Sequence, residues 1–364
     1  MPLAPVDNHG TQLYYEDSGS PTGSADYATL ILIHGTIFHG AIFRRMFSYA
    51  AAYNLRLVFV TLRDYPGSTP FSTAELDVLH GTDETAQATF VQNRGLEITA
   101  FLLWYIQNHS IPPMCIADHV SQRSVGGLSV LAWSSGNMLP LSMLAHLDNL
   151  SDEDQNLFNV YIRTLVLFDA PFQVFGIAYP SLEELYNPLR DHSIPAEKKA
   201  EKFADWVSGY FAHSTQILSS LSSLSLLTRE ELFSGLAQTP LSDPPPEHLP
   251  TIARMSSAEI EGTADYAGAP RSHVHLVEIA PTVFATNLRA ALGDATRWPH
   301  LRTVIVWCDQ SLNEVAFAAW ELAGMLKRWS DVRRKVEIKR MVGANHFPHW
   351  DQPEVTVKFL ADII

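Results

Sequence analysis

The stretch Leu128-Ser129-Val130-Leu131-Ala132-Trp133-Ser134-Ser135-Gly136-Asn137 decides how the rest of the chain is read. An apolar run with strand character drives into Ala-x-Ser-x-Gly, and Met138 to Leu147 then reads as a helix. A serine at such a strand-to-helix turn sits where the chain doubles back sharply and exposes its Oγ. Small residues flank it because the turn leaves little room for a Cβ. Short Ser/Gly pentamers also mark ordinary turns, so the pentamer needs company.

Three further segments supply it. Ile31-Leu32-Ile33-His34-Gly35-Thr36 is a buried-strand run ending in His-Gly. Leu62-Arg63-Asp64-Tyr65-Pro66-Gly67-Ser68 follows the next strand, and Gly343-Ala344-Asn345-His346-Phe347-Pro348-His349-Trp350 lies near the C-terminus. In this order the segments resemble the oxyanion loop, D-x-x-G-x-S turn, nucleophile elbow and catalytic-histidine loop of the α/β-hydrolase superfamily, in its lid-bearing serine branch. The resemblance spans nearly the whole chain except the lid, which is unmatched. It departs from the commoner G-x-S-x-G in having Ala132 first.

Composition narrows the field. A length of 364 residues allows two or three average domains, or one core with a large insertion. Hydrophobic residues at 46% and charged residues at 18% suit a globular protein with a sizeable core. A net charge of −14 argues against a nucleic-acid partner, because phosphate binding wants a basic face. Cys115 and Cys308 form no disulfide framework, and the first residues lack a basic start and an apolar core. No apolar run approaches the ~20 residues of a membrane span. The expectation is a cytoplasmic enzyme without membrane or nucleic-acid partners.

Along the chain, Gln12 to Glu16, Thr29 to His34 and Leu55 to Thr61 read as strands, with a helix from Arg44 to Tyr53. Thr82 and Asp83 can cap a helix carrying Ile98, Leu102, Tyr105 and Ile106 on one face, which Pro112-Pro113 ends. Arg163 to Asp169, Thr303 to Trp307 and Lys335 to Met341 read as later strands, and Pro353 to Ile364 as a closing amphipathic helix. Continuous apolar strands alternating with helices imply a mostly parallel sheet covered on both faces. From Ala170 to Trp298 that rhythm breaks. Phe203, Trp206, Val207, Tyr210 and Phe211 form a helical stripe there, followed by the Ser/Leu-rich run Ser214 to Leu227. The loop Asp243-Pro244-Pro245-Pro246 follows, and Ser256-x-x-Glu259 is a capping box. The expected organisation is core over 1–170, helical lid over 171–300 and core again over 301–364.

A serine hydroxyl is a poor nucleophile at neutral pH and needs an imidazole to take its proton. The resemblance makes Ser134 the nucleophile and His346 the base, with backbone N–H groups of Ser135 and Thr36 as oxyanion donors. His349 is the rival base. His34 is expected to shape the oxyanion turn and His39 to sit at the rim. His34, Gly35, Ile37 and Trp133, which flank the two turns, are expected to border the substrate. The acid has two candidates. Asp309 lies two residues before the usual slot, which Ser311 occupies; Asp169 stands at the tip of the preceding strand, as in haloalkane dehalogenases. The sheet-end position, which needs no loop distortion, favours Asp169.

The reading that follows is hydrolysis of a carboxylic ester or similar acyl substrate, without metal or other cofactor. Cofactor-free C–C bond hydrolysis, acyl transfer, and ligand binding without turnover use the same framework. Epoxide hydrolases and dehalogenases are disfavoured because they use Asp where this chain has Ser134. The aromatic stripe at 203–211 suggests an apolar substrate, although such stripes more often form plain core. Substrate identity and oligomeric state are not legible in the sequence.

Overall fold

The computed structural model describes residues 2–118, 123–219, 224, 226–296, 298–329 and 333–364. Part of the Ser/Leu-rich run, residues 220–223 and 225, lies outside the described residues. The strands are β1 (Leu3–Pro5), β2 (Gln12–Asp17), β3 (Ala28–Ile33), β4 (Leu55–Thr61), β5 (Cys115–Asp118), β6 (Arg123–Val125), β7 (Leu128–Trp133), β8 (Ile162–Phe168), β9 (Arg302–Cys308) and β10 (Val336–Met341). Eight of them form one sheet in the order β1-β2-β4-β3-β7-β8-β9-β10, while β5 and β6 pair separately. β1 and β2 are antiparallel to their neighbours, and every pairing from β4 to β10 is parallel. This is the α/β-hydrolase architecture that the motif order implied.

Every residue of β3, β4, β7 and β8 is buried. A strand buried on both faces favours apolar side chains, which explains why these four read as mostly hydrophobic runs, with Thr29, Arg56, Thr61, Ser129, Arg163 and Thr164 as the buried exceptions. β10 is only half-buried along most of its length, in keeping with its place at the sheet edge. The helix Glu84–Asn108 starts at Asp83, whose side chain accepts from the N–H groups of Thr85 and Ala86. It buries Ile98, Leu102, Tyr105 and Ile106, the face read from the periodicity. The expected helix from Arg44 to Tyr53 is instead a broken series. It runs as a 3₁₀ turn Gly40–Met46, four α-helical residues Phe47–Ala50, and a second 3₁₀ turn Ala51–Tyr53 capped by Asn54.

Between β8 and β9 the described residues add no strand to the sheet, and short helices dominate. One helix, Ala196–Val207, carries Phe203, Trp206 and Val207. Tyr210 and Phe211 fall beyond its end, so the sequence stripe is only partly helical. The reason is local: after Val207 the chain turns and Tyr210 reaches away to donate to Asp351 Oδ2 at 2.8 Å. The capping box at Ser256 and Glu259 is present and starts a helix over Ser257–Glu261. The last helix before β9, Pro281–Gly293, packs on the helices Met138–Ala145 and Glu84–Asn108 and joins the layer covering the sheet. No helix among the described residues is long and apolar enough to cross a membrane.

Candidate active site

In a parallel sheet the loops at the carboxyl ends of the strands converge, and ligands bind there. The ends of β3, β7, β8 and β9 and the loop after β10 deliver Thr36, Ser134, Asp169, Ser311 and His346 to one place. Backbone strain collects at the same edge. Ile37, Asp64, Ser134 and Asp169 all have positive φ, between 49° and 69°. Residues other than glycine rarely adopt this conformation, and it persists only where surroundings over-determine it. Ile37 is held by two hydrogen bonds: its N–H donates to Tyr65 Oη at 3.1 Å and its carbonyl accepts from Asp265 N at 2.8 Å.

At the turn after β7, Ser134 has φ +58° and begins a 3₁₀ turn, Ser134–Asn137. The first N–H groups of such a turn have no partner within it, so Ser135 N–H is a free donor of the turn itself. Asn137 Nδ2 ties the turn down by donating to the carbonyls of Ser134 at 2.7 Å and Phe168 at 3.1 Å. The small residues are required by contact. A Cβ on Gly136 would stand 2.2 Å from the His34 carbonyl oxygen, and one on Gly35 would stand 2.6 Å from Ser134 Cβ. The Thr36 and Ser135 hydroxyls are 2.7 Å apart and hydrogen-bonded to each other.

His346 is buried, and its Nδ1 lies 2.5 Å from Asp169 Oδ2. The carboxylate accepts, so Nδ1 carries the proton and Nε2 is left as the basic nitrogen. Asp169 is fully buried and accepts twice more, from Ser311 Oγ at 2.5 Å and from Cys308 N–H at 2.7 Å. The Ser311 hydroxyl is also 3.4 Å from His346 Nδ1. Trp133 Nε1 donates to the His346 carbonyl at 2.9 Å and fixes the loop from behind.

Asp309, the other acid candidate, lies apart from the imidazole. Its Oδ1 accepts from Gly343 N–H at 2.7 Å, its Oδ2 faces Arg340, and burial pushes its carboxyl up. It therefore braces the loop that carries His346. His349 is buried against Phe43 and Trp133, and neither ring nitrogen has a hydrogen-bond partner among the described residues. Burial holds it far below the usual imidazole range, which keeps it neutral.

One cavity of about 40 Å³ opens on this machinery, lined by Thr36, Ser134, Ser135 and His346 among others. His34, Gly35, Ile37 and Trp133, expected at the substrate, are not among its lining residues. His34 is wholly buried: Leu62 N–H donates to its Nε2 at 2.9 Å, so its Nδ1–H donates to the Gly35 carbonyl at 2.8 Å. Burial lowers its pKa to about 3, and the ring works as a neutral clamp between two loops. His39, half-buried, caps the 3₁₀ turn Gly40–Met46 through its Nδ1, which accepts from Ala41 N–H. Of the insertion's aromatics only Phe203 lines the cavity, whereas Trp206, Tyr210 and Phe211 are buried packing.

The sequence reading missed the rest of the wall. Gln173, Asn187 and Glu314 line the cavity, yet none belongs to a motif. Glu314 had one weak signal: it is an acidic residue in the first turn of the helix Asn313–Arg328, which ordinarily means no more than a dipole partner. His213 was also missed. It donates from Nε2 to the Ser311 carbonyl at 2.9 Å while its Nδ1 accepts from Ala237 N–H, and burial lowers its pKa to about 4. Among the described residues no group of three or more His, Cys, Asp and Glu side chains could hold a metal ion.

Solved structures of similar fold include Cfl2 from Burkholderia cenocepacia, 18% identical, with a TM-score of 0.50 over 99% of this chain and 94% of its own. A variant of potato epoxide hydrolase is 15% identical, with a TM-score of 0.51 over 97% and 95%. These likenesses are of fold alone. Among curated proteins none matches the chain in sequence. The family model described as alpha/beta hydrolase family matches residues 30–359, from β3 to the C-terminal helix, and the chain belongs to that family.

Proposed function

We propose that the protein is a serine hydrolase of carboxylic esters or related acyl substrates, working through Ser134, His346 and Asp169. The observation that carries the reading is the 2.5 Å contact between Asp169 and His346 Nδ1 beside a strained serine on the same cavity. Ser134 Oγ attacks the acyl carbon and His346 Nε2 takes its proton. Asp169 holds the tautomer and stabilises the imidazolium. The developing oxyanion accepts from the N–H groups of Ser135 and Thr36, and the leaving alcohol takes the proton from His346. Water, deprotonated by the same imidazole, then attacks the acyl-enzyme and releases the acid.

Ser134 in place of Asp favours acyl chemistry over the epoxide hydrolysis for which the potato enzyme is named. Pro171, Leu189, Phe203, Val207 and Leu312 supply apolar wall, which suits a small aliphatic acyl group. A cavity of about 40 Å³ has room for only a few waters, so entry of a substrate requires the helical insertion to move as a lid. A fluorophosphonate probe tests the reading: the wild-type chain labels at Ser134 and hydrolyses p-nitrophenyl acetate, and Ser134→Ala does neither. Unlabelled wild-type protein without esterase activity would refute it.

A further inference from the structure

Three cavity-lining residues have no part in the chemistry above. Glu314 is 2% exposed, a carboxyl group taken out of water in the wall of the substrate cavity. Its Oε1 accepts from Asn187 Nδ2 at 2.8 Å and from Gln173 Nε2 at 3.4 Å. These amides are its hydrogen-bond partners among the described residues, and neither carries a charge. Arg190 exerts only a weaker, longer-range pull, since its guanidinium lies over the Tyr179 ring and donates to the Pro180 carbonyl. A buried carboxylate without a counter-ion is expensive, and proteins ordinarily pair it or leave it neutral.

Apart from the second N–H of Asn187 Nδ2, the atoms left over are acceptors. Both amide bonds to Glu314 fall on Oε1 and none on Oε2, and Gln173 Oε1 is buried with no hydrogen-bond partner among the described residues. Two acceptors on the wall of one cavity, one of them on a potentially charged group, ask for a ligand rich in donors. A hydroxyl offers a single donor and no charge; an ammonium offers three donors, no acceptor and the missing positive charge.

We propose that Glu314, Gln173 and Asn187 form a subsite that receives a protonated amine carried by the acyl substrate, a reading that rests on the hydrolase assigned above. The apolar wall between this subsite and Ser134 then accommodates the methylene chain that separates the amine from the scissile carbonyl. The net charge of −14 acts in the same direction, because an acidic surface raises the local concentration of cations. Burial pushes the Glu314 carboxyl up to about 7 despite its amide partners, so an arriving ammonium meets a group readily converted to carboxylate.

Calorimetric titration of the wild-type chain at mildly alkaline pH, with n-butylammonium and separately with n-butanol, needs no turnover. The ammonium is expected to bind at least about tenfold more tightly. Glu314→Gln keeps the shape and removes the charge; it should abolish that preference while leaving n-butanol binding unchanged. Equal affinities, heat from neither compound, or a preference that survives Glu314→Gln would each overturn the subsite. Should Glu314→Gln fail to fold, the wild-type comparison alone decides. Fluorophosphonate labelling separates the two readings. Labelling without an ammonium preference overturns only the subsite, whereas a preference without labelling overturns only the hydrolase.

Discussion

Replacing Asp169 by Asn tests the acid, and the hydrogen bonds around it define the outcome. The native carboxylate accepts three donors: His346 Nδ1–H, the Ser311 hydroxyl and the Cys308 N–H. An amide has one oxygen and one NH₂ to offer them. The Cys308 N–H belongs to a strand end and cannot turn away, so the amide oxygen takes the Oδ1 position. The opposite flip would bury two donors face to face, at about 1–3 kcal/mol. The NH₂ then faces His346 Nδ1, which must give up its proton and accept. Nε2 becomes protonated and Ser134 loses its base. The same substitution lowers kcat by about 10⁴ in serine proteases, or about 5.5 kcal/mol of barrier. Ser311→Ala, by contrast, deletes one hydrogen bond to a charged acceptor, worth about 1.5–3 kcal/mol, and should slow turnover by about 10–150-fold. Steady-state hydrolysis of p-nitrophenyl acetate, with thermal unfolding to check folding, measures both. Asp169→Asn within about tenfold of wild type would refute the assignment, and a larger loss in Asp309→Asn would move the acid there.

Other expectations follow from the same geometry. Ser134→Ala should unfold at nearly the wild-type temperature, since Ala replaces Ser at the same φ, and should lose about 10⁴-fold or more in kcat; retention of a tenth of the rate would refute it. His346→Ala should match that loss, whereas His349→Ala should chiefly lower the unfolding temperature by truncating a ring packed on Phe43 and Trp133, as a melting curve would report. Gly136→Ala should be among the most destabilising single-methyl additions, because its Cβ would meet the His34 carbonyl; an unchanged melting temperature would contradict the packing. Acid should weaken the fold through buried neutral histidines. His34 is lowered to about 3, and His39 and His213 to about 4, so the unfolded chain binds more protons below its own histidine pKa of about 6.5. Their contribution is complete above that value and falls as pH drops toward 4, which denaturant titrations at stepped pH would detect.

The parallel core was legible because each central strand is buried on both faces and reads as a mostly apolar run. The turns were legible because Gly35, Gly136 and Gly343 answer steric or conformational demands that few other residues meet. The choice between Asp169 and Asp309 was open for a physical reason. Both follow apolar strands, and only the packing of β8 against β9 shows that Asp169 N–H bonds to the Val306 carbonyl and turns its side chain toward His346. The cavity wall was illegible for another. Gln173, Asn187 and Glu314 come from segments 141 residues apart at the extremes, and nothing local distinguishes a polar side chain that faces a cavity from one that faces solvent. Of the expected border residues, His34 and Trp133 are committed to bracing loops through their rings, and Ile37 is itself buried and pinned through its backbone.

Asp351, two residues after His349, sets a condition on anyone who would rebuild this protein by exchanging parts. Its carboxylate is 3% exposed and accepts from the Tyr210 hydroxyl and the Thr251 hydroxyl, both at 2.8 Å, and pairs with Arg254. All three donors belong to the helical insertion, while the acceptor belongs to the histidine loop. A chimera that takes its insertion from a relative lacking those donors would strand a charge in the interior, at about 3–5 kcal/mol, a large part of a typical domain's stability. Recombination of the two parts therefore has to move residue 351 with the insertion, or replace it with an apolar side chain at the same crossover.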